Sequence, residues 1–315
     1  MRPRPALALA GWALRQAAGG LLVLLGTSLL LYGVLRAAPT GTMAERVGSA
    51  GGPAAAAPGL PGYGDWLAGA LRGDLGRSTA VQRGRPVTAL ILPGLRRSLG
   101  LAGTALLVST LLSAGIARLG AGRPAGAVLA TVAHLASALP VFLLVYAVTV
   151  LGNRLVAAGA RGGWWDLPAW FPFPSRDHWV PWTVAVVVLA VGDGLLADLL
   201  GRIRAEVRAA GRVEHRVGAR LLGIPEAAVT VRETFPGVAA HLSRRVAFVL
   251  GSTVILEAAL GWPGLGYLTW RAAAERDLPL LLGSAVVLAA VVRFAGVVAE
   301  AAGRWADPRV GETGR

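Results

Sequence analysis

Six apolar runs, each close to the length of a bilayer crossing, punctuate this chain: Ala17–Leu35, Leu99–Ile116, Gly126–Leu151, Trp182–Leu200, Val246–Leu260 and Leu278–Ala299. A helix needs about 20 apolar residues to cross about 30 Å of hydrocarbon, and helices satisfy their own backbone hydrogen bonds where no water can. The pattern therefore predicts an all-α, polytopic integral membrane protein. Composition agrees, with 55% hydrophobic and 15% charged residues and a mean hydropathy of +0.59. Soluble domains carry about 25% charged residues, so an ordinary soluble enzyme is excluded. So much apolar side chain also excludes disorder.

All 31 basic residues are arginine, against 17 acidic ones, for a net charge of +14. These arginines cluster between the apolar runs, where the positive-inside rule and anionic headgroups account for them without nucleic acid. Nine lie between the fourth and fifth runs, three precede the first, two separate the second from the third, and three follow the sixth. The opposite side has three and two in its later loops; its first loop holds eight but is too long to obey the charge rule. This count predicts that both termini and the Arg202–Arg245 loop are cytoplasmic. The corresponding organisation is a cytoplasmic stretch over 1–16, a membrane domain over 17–309 with an outer loop at 36–98 and a cytoplasmic loop at 201–245, and a tail over 310–315. The apolar N-terminal run lacks a clear small-x-small cleavage site and reads as a retained first span. With no cysteine, disulfides and thiol chemistry are absent, and four scattered histidines show no metal-ligand spacing.

In the first outer loop, Tyr63–Leu71 has the pattern of a short amphipathic helix on the membrane, with Trp66 at headgroup level. Trp164, Trp165, Trp170, Trp179 and Trp182 crowd the second outer loop. They suit an aromatic belt or a wall that meets cargo or a partner. On the cytoplasmic side, Asp198 and Arg202 stand four apart and can pair on one helix face. A basic helical stretch over Ile203–Leu222 then meets Gly223-Ile224-Pro225-Glu226, where glycine stops one helix, proline starts the next and Glu226 faces its positive end. The expected shape is helix, sharp turn, helix. Composition leaves open whether it is a solvated loop or a rigid lever that docks into a partner.

Several strings resemble one permease family. Leu71-Arg72-Gly73-Asp74-Leu75-Gly76-Arg77-Ser78, Leu139-Pro140-Val141-Phe142, Trp262-Pro263-Gly264-Leu265-Gly266 with Glu257 before it, and Asp307-Pro308-Arg309 with Glu300 before it occur in family order over nearly the whole chain. They are similar to the signatures of the dipeptide/oligopeptide/nickel class of binding-protein-dependent ABC importers. The resemblance implies the type I importer permease fold. It makes the nine-arginine loop the ATPase-coupling loop, with Ala219, Arg220, Gly223, Pro225 and Glu226 as its candidate residues. Val217-Gly218-Ala219 stands where the family has Glu-Ala-Ala, and Leu222 where lysine is usual, so the motif is divergent.

The resemblance also implies partners: a second homologous permease, two ABC ATPase subunits, an external solute-binding protein and the lipid bilayer, with no nucleic acid. ATP and Mg would belong to the ATPase subunits, this chain binding no cofactor and no metal and doing no catalysis. Transport would proceed by alternating access in the cell membrane. Pathway or gate candidates are Pro140, as a kink in the third span, Asp193, Glu257, Trp262, Pro263, Gly264 and Gly266. Gly73, Asp74, Gly76, Arg77 and Ser78 form the outer-loop signature. Charges within spans are costly, so Asp193 and Arg293 either pair with each other, face a hydrated cavity separately, or, for Arg293, snorkel to the headgroups. The alternatives from other classes are a polytopic membrane enzyme using His134 or His241 with a nearby acid, and a stand-alone channel. Cargo is expected to be peptides or a related small solute.

Overall fold

A computed structural model describes residues 5–37, 62–120, 124–163, 179–210 and 222–306. Among them are ten helices: α1 (Pro5–Ala37), α2 (Tyr63–Leu71), α3 (Val87–Leu119), α4 (Pro124–Ser137), α5 (Val141–Arg161), α6 (Trp179–Val191), α7 (Leu195–Ala210), α8 (Glu226–Leu260), α9 (Leu265–Ala274) and α10 (Leu278–Ala306). Five are long and apolar enough to cross a membrane, and α6 with α7 makes a sixth crossing if that pair, bent by 55°, counts as one. Large apolar side chains such as Leu22, Leu107, Tyr146 and Phe294 lie exposed along these helices. That costs nothing where the surrounding solvent is itself hydrocarbon.

The apolar run Gly126–Leu151 is not one kinked span. α4 ends at Ser137 and α5 begins at Val141. Pro140 supplies no N–H to continue the ladder, and its ring disfavours the helical region for Leu139, so the chain turns extended at Pro140 (φ −57°, ψ 144°) before restarting. Gly192-Asp193-Gly194 makes a second break between α6 and α7. Asp193 and Gly194 both adopt positive φ (51° and 78°) there.

The chain divides into two compact units. In the first, Met1–Leu95 with Leu268–Arg293, a core of Tyr32, Trp66 and Leu282 is flanked by Leu31, Leu35, Leu67 and Val286. Trp66 is 4% exposed within this core, so α2 does not present it to headgroups. The Tyr63 ring stacks on it at 6.2 Å, and the Tyr63 hydroxyl lies 2.9 Å from Ser28 Oγ. Arg293 donates to the side-chain and backbone oxygens of Gln16.

The second unit is Arg96–Tyr267 with Phe294–Arg315. One part of its core gathers Ala130, Ala133, Leu196 and Leu200, small residues on α4 meeting leucines on α7. The Ser113 hydroxyl donates to Leu196 O at 3.1 Å, tying α3 to the same place.

Candidate transport and coupling sites

The outer-loop signature is a hydrogen-bonded knot. The Asp74 and Arg72 amides both donate to Gly69 O at 2.9 Å as α2 ends, and Gly73 takes φ 84° to let the chain double back. Asp74 Oδ1 accepts the Gly76 amide at 2.9 Å, the short-range turn that aspartate favours. Arg77 donates to Gly84 O at 2.7 Å and pairs with Pro86 in an isolated antiparallel bridge. Ser78 then donates its hydroxyl to Asp277, whose Oδ2 also accepts the Ala80 and Val81 amides at 3.0 Å while Oδ1 accepts Thr79 N at 3.1 Å.

Asp277 is fully buried, and its Oδ1 also accepts Leu280 N at 3.3 Å, capping α10. Burial pushes its carboxyl pKa up, but the Ser78 hydroxyl and the Ala80, Thr79 and Val81 amides outweigh that, and the net shift is downward. Gly73, Asp74, Gly76, Arg77 and Ser78 are thus brought together as one local fold. The residue that sequence reasoning missed is Asp277; an acid directly ahead of an apolar run is an N-cap signal.

Pro140 and Asp193, separate candidates in sequence, meet where the two helix breaks dock on each other. Asp193 Oδ1 accepts the Val141 amide at 2.8 Å, capping α5, and Oδ2 accepts the Ser252 hydroxyl of α8 at 2.5 Å. The Asp193 amide donates to Leu139 O at 3.3 Å, and Gly194 N to Ser137 O at 2.8 Å. Ser137 Oγ donates to Val191 O at 2.9 Å and accepts Ala197 N at 3.2 Å. Every one of these backbone groups was freed by one break and is satisfied by the other, as irregular backbone within an apolar stretch requires. Asp193 thus holds Val141 and Ser252, while Arg293 holds Gln16.

Glu257, Trp262, Pro263, Gly264 and Gly266 also come together. α8 stops at Gly261, which takes the left-handed conformation (φ 65°) a helix end favours. The chain folds back so that Gly266 N donates to Glu257 Oε2 at 2.7 Å and Leu265 N to Ser98 Oγ at 2.8 Å. A carboxylate and a hydroxyl from α8 and α3 thus meet the positive end of α9. A Cβ at Gly264 would collide with the Glu257 carboxylate, and one at Gly266 would meet it at 2.9 Å and Val254 Cα at 2.5 Å. Both glycines are there to let the carboxylate in. Trp262 is buried against Trp182 at 5.5 Å, and Arg97 donates to Pro263 O at 3.2 Å. The contacts of Glu257 are thus with the loop that it holds.

On the arginine-rich loop, Ala219 and Arg220 lie outside the described residues, as do most of the outer-loop tryptophans and Asp307-Pro308-Arg309. Gly223 has φ 71° and Pro225 caps α8 in an extended conformation (φ −55°, ψ 129°), with Glu226 in the first turn. The helix start expected at this turn is present, with proline standing one position ahead of the helix; residues 211–221 of the basic stretch before it lie outside the described residues. Asp198 does not pair with Arg202. It pairs with Arg245 of α8, and Arg202 pairs with Glu206. A Cβ at Gly237 would strike the Glu206 carboxylate, so α7 and α8 are close there. His134 Nδ1 lies 2.6 Å from Ala130 O in its own helix.

Long apolar helices, with two chain breaks tied to each other by polar side chains, define a polytopic all-α membrane protein. The family model for the inner membrane component of binding-protein-dependent transport systems matches residues 107–312, and the chain belongs to that family. It is the permease subunit of a binding-protein-dependent ABC importer, multi-pass in the inner membrane. It is similar to the oligopeptide transport system permease protein AppB of Bacillus subtilis (strain 168), at 24% identity over 96% of this chain and 99% of that protein. A Brucella ovis protein with a provisional peptide-permease name is 24% identical over 44% of this chain and 45% of its own length. A solved amino acid ABC transporter with histidines aligns with 69% of this chain and 94% of its own at 15% identity, with a TM-score of 0.47. The membrane-enzyme and channel readings gain no support from this family.

Proposed function

We propose that this permease carries peptides, and that it forms half of the translocation pathway beside a second homologous permease. Two ABC ATPase subunits grip the turn around Gly223 from the cytoplasm, where both termini also lie, and an external solute-binding protein delivers the cargo. ATP and Mg act in the ATPase subunits, and hydrolysis is their work. The observation that carries the peptide assignment is the end-to-end similarity to an oligopeptide permease, covering 96% of one chain and 99% of the other. The coupling assignment is supported by the left-handed turn at Gly223 and the helix start at Glu226, within the nine-arginine stretch. The test is co-purification followed by uptake. The complex isolated through this chain contains ATPase subunits, and deleting Gly218–Val229 removes them while the chain still inserts. Proteoliposomes then accumulate a labelled tripeptide mixture with ATP, and nickel chelates do not compete. Recruitment that survives the deletion overturns the coupling assignment; competition by nickel chelates with no peptide uptake overturns the cargo.

A further inference from the structure

The jointed breaks give Asp193 a different task from that of a pathway charge. Its two oxygens each hold a different helix, Oδ1 the first amide of α5 and Oδ2 the Ser252 hydroxyl of α8, while its own backbone sits between α6 and α7. Aspartate is one of the few residues besides glycine that tolerate the left-handed conformation seen here, φ 51°. Ser137 reinforces the joint from α4 by bonding the end of α6 and the start of α7. α7 and α8 are also the helices that flank the arginine-rich loop.

We propose that Asp193 is a positioning residue, a latch that makes α5, α7 and α8 move as one body, so that displacement of the loop between α7 and α8 reaches the membrane-spanning helices without slack. The latch works through acceptor geometry and tolerance of positive φ. Asparagine satisfies both, since its Oδ1 accepts from Val141 and its amide donates to Ser252 Oγ. Alanine and glycine satisfy at most one. A charge that met cargo or carried a proton would instead be lost in asparagine.

The chain has no cysteine, so spin labels at Leu155→Cys on α5 and Val207→Cys on α7, both on exposed positions, report the distance across the joint in the full chain. Measured in lipid nanodiscs with the co-purified subunits, with and without ATP and vanadate, wild type and Asp193→Asn give one narrow distance that does not change. Asp193→Ala broadens the distribution about twofold or shifts it with nucleotide. In the same complexes, uptake of the labelled tripeptide mixture per ATP hydrolysed falls about fivefold or more for Asp193→Ala and stays near wild type for Asp193→Asn. Should Asp193→Ala fail to assemble, Ser252→Ala cuts the leg to α8 and leaves the turn intact, and it broadens the distance between labels at Leu155→Cys on α5 and Ile255→Cys on α8, which is narrow in wild type. The latch is overturned if either wild-type distance itself changes with nucleotide, if Asp193→Asn behaves like Asp193→Ala, or if Ser252→Ala leaves the α5–α8 distance narrow. The transport reading fails separately, when no ATPase subunit co-purifies; the nucleotide-free distances still decide the latch.

Discussion

Asp277 accepts the hydroxyl of Ser78 across 199 residues of sequence, so the start of α10 and the loop after α2 are one structure. Removing the carboxylate leaves the half-buried amides of Thr79, Ala80 and Val81 unpaired. Each such loss costs about 1–3 kcal/mol, so Asp277→Ala destabilises by at least about 3 kcal/mol and Ser78→Ala by about 2. Tryptophan-fluorescence melting in detergent checks the order. Equal effects from the two variants would contradict the shared role of the carboxylate.

The same carboxylate sets a pH dependence. Its folded pKa lies below its ordinary value of 3.8. The stabilisation it gives is therefore complete above that ordinary value and is lost as pH falls through the lower folded one. The melting difference between wild type and Asp277→Asn stays constant from neutral pH down to about pH 5 and narrows only below about pH 4. Narrowing at pH 6 would place the titrating group elsewhere.

Gly264 and Glu257 are fitted to each other, since a Cβ on the glycine overlaps the carboxylate. Gly264→Ala costs about 1–3 kcal/mol by overpacking. Shortening the acid relieves the overlap, so the double variant Gly264→Ala with Glu257→Ala is more stable than the sum of the single effects by about 1 kcal/mol or more. Strict additivity in melting experiments would show that the glycine answers to a different neighbour.

The apolar runs told where most crossings lie because bilayer thickness imposes their length, whatever the tertiary structure. They did not tell where Gly126–Leu151 breaks. Pro140 reads equally as a kink, and only the docking of Asp193 on the Val141 amide makes a full stop stable there. Amphipathic spacing marks an apolar face on α2 without saying which partner covers it; for Trp66, Tyr32 and Leu282 do. Signature glycines were legible as motifs, but their reasons, the Glu257 carboxylate that Gly264 and Gly266 admit and the positive φ of Gly73 and Gly76, appear only in the folded chain. Asp277 carried a helix-start signal but stood outside every recognised string.

Asp198 shows the limit of local spacing most directly. Four residues separate it from Arg202, an arrangement that favours pairing on an isolated helix, yet it bonds Arg245 on the adjacent helix and leaves Arg202 to Glu206. The side chains of Asp198 and Arg245 are 39% and 26% exposed, so the pair is partly screened. Its coupling energy is expected at about 0.5–1 kcal/mol. A double-mutant cycle with Asp198→Ala and Arg245→Ala, read by melting at low and high salt, returns that coupling and loses part of it in high salt. The parallel cycle of Asp198→Ala with Arg202→Ala returns no more than a few tenths of a kcal/mol, because Arg202 keeps its own acid partner. The reverse ranking would mean that α7 binds its charges within itself and that α8 is held to it by packing alone.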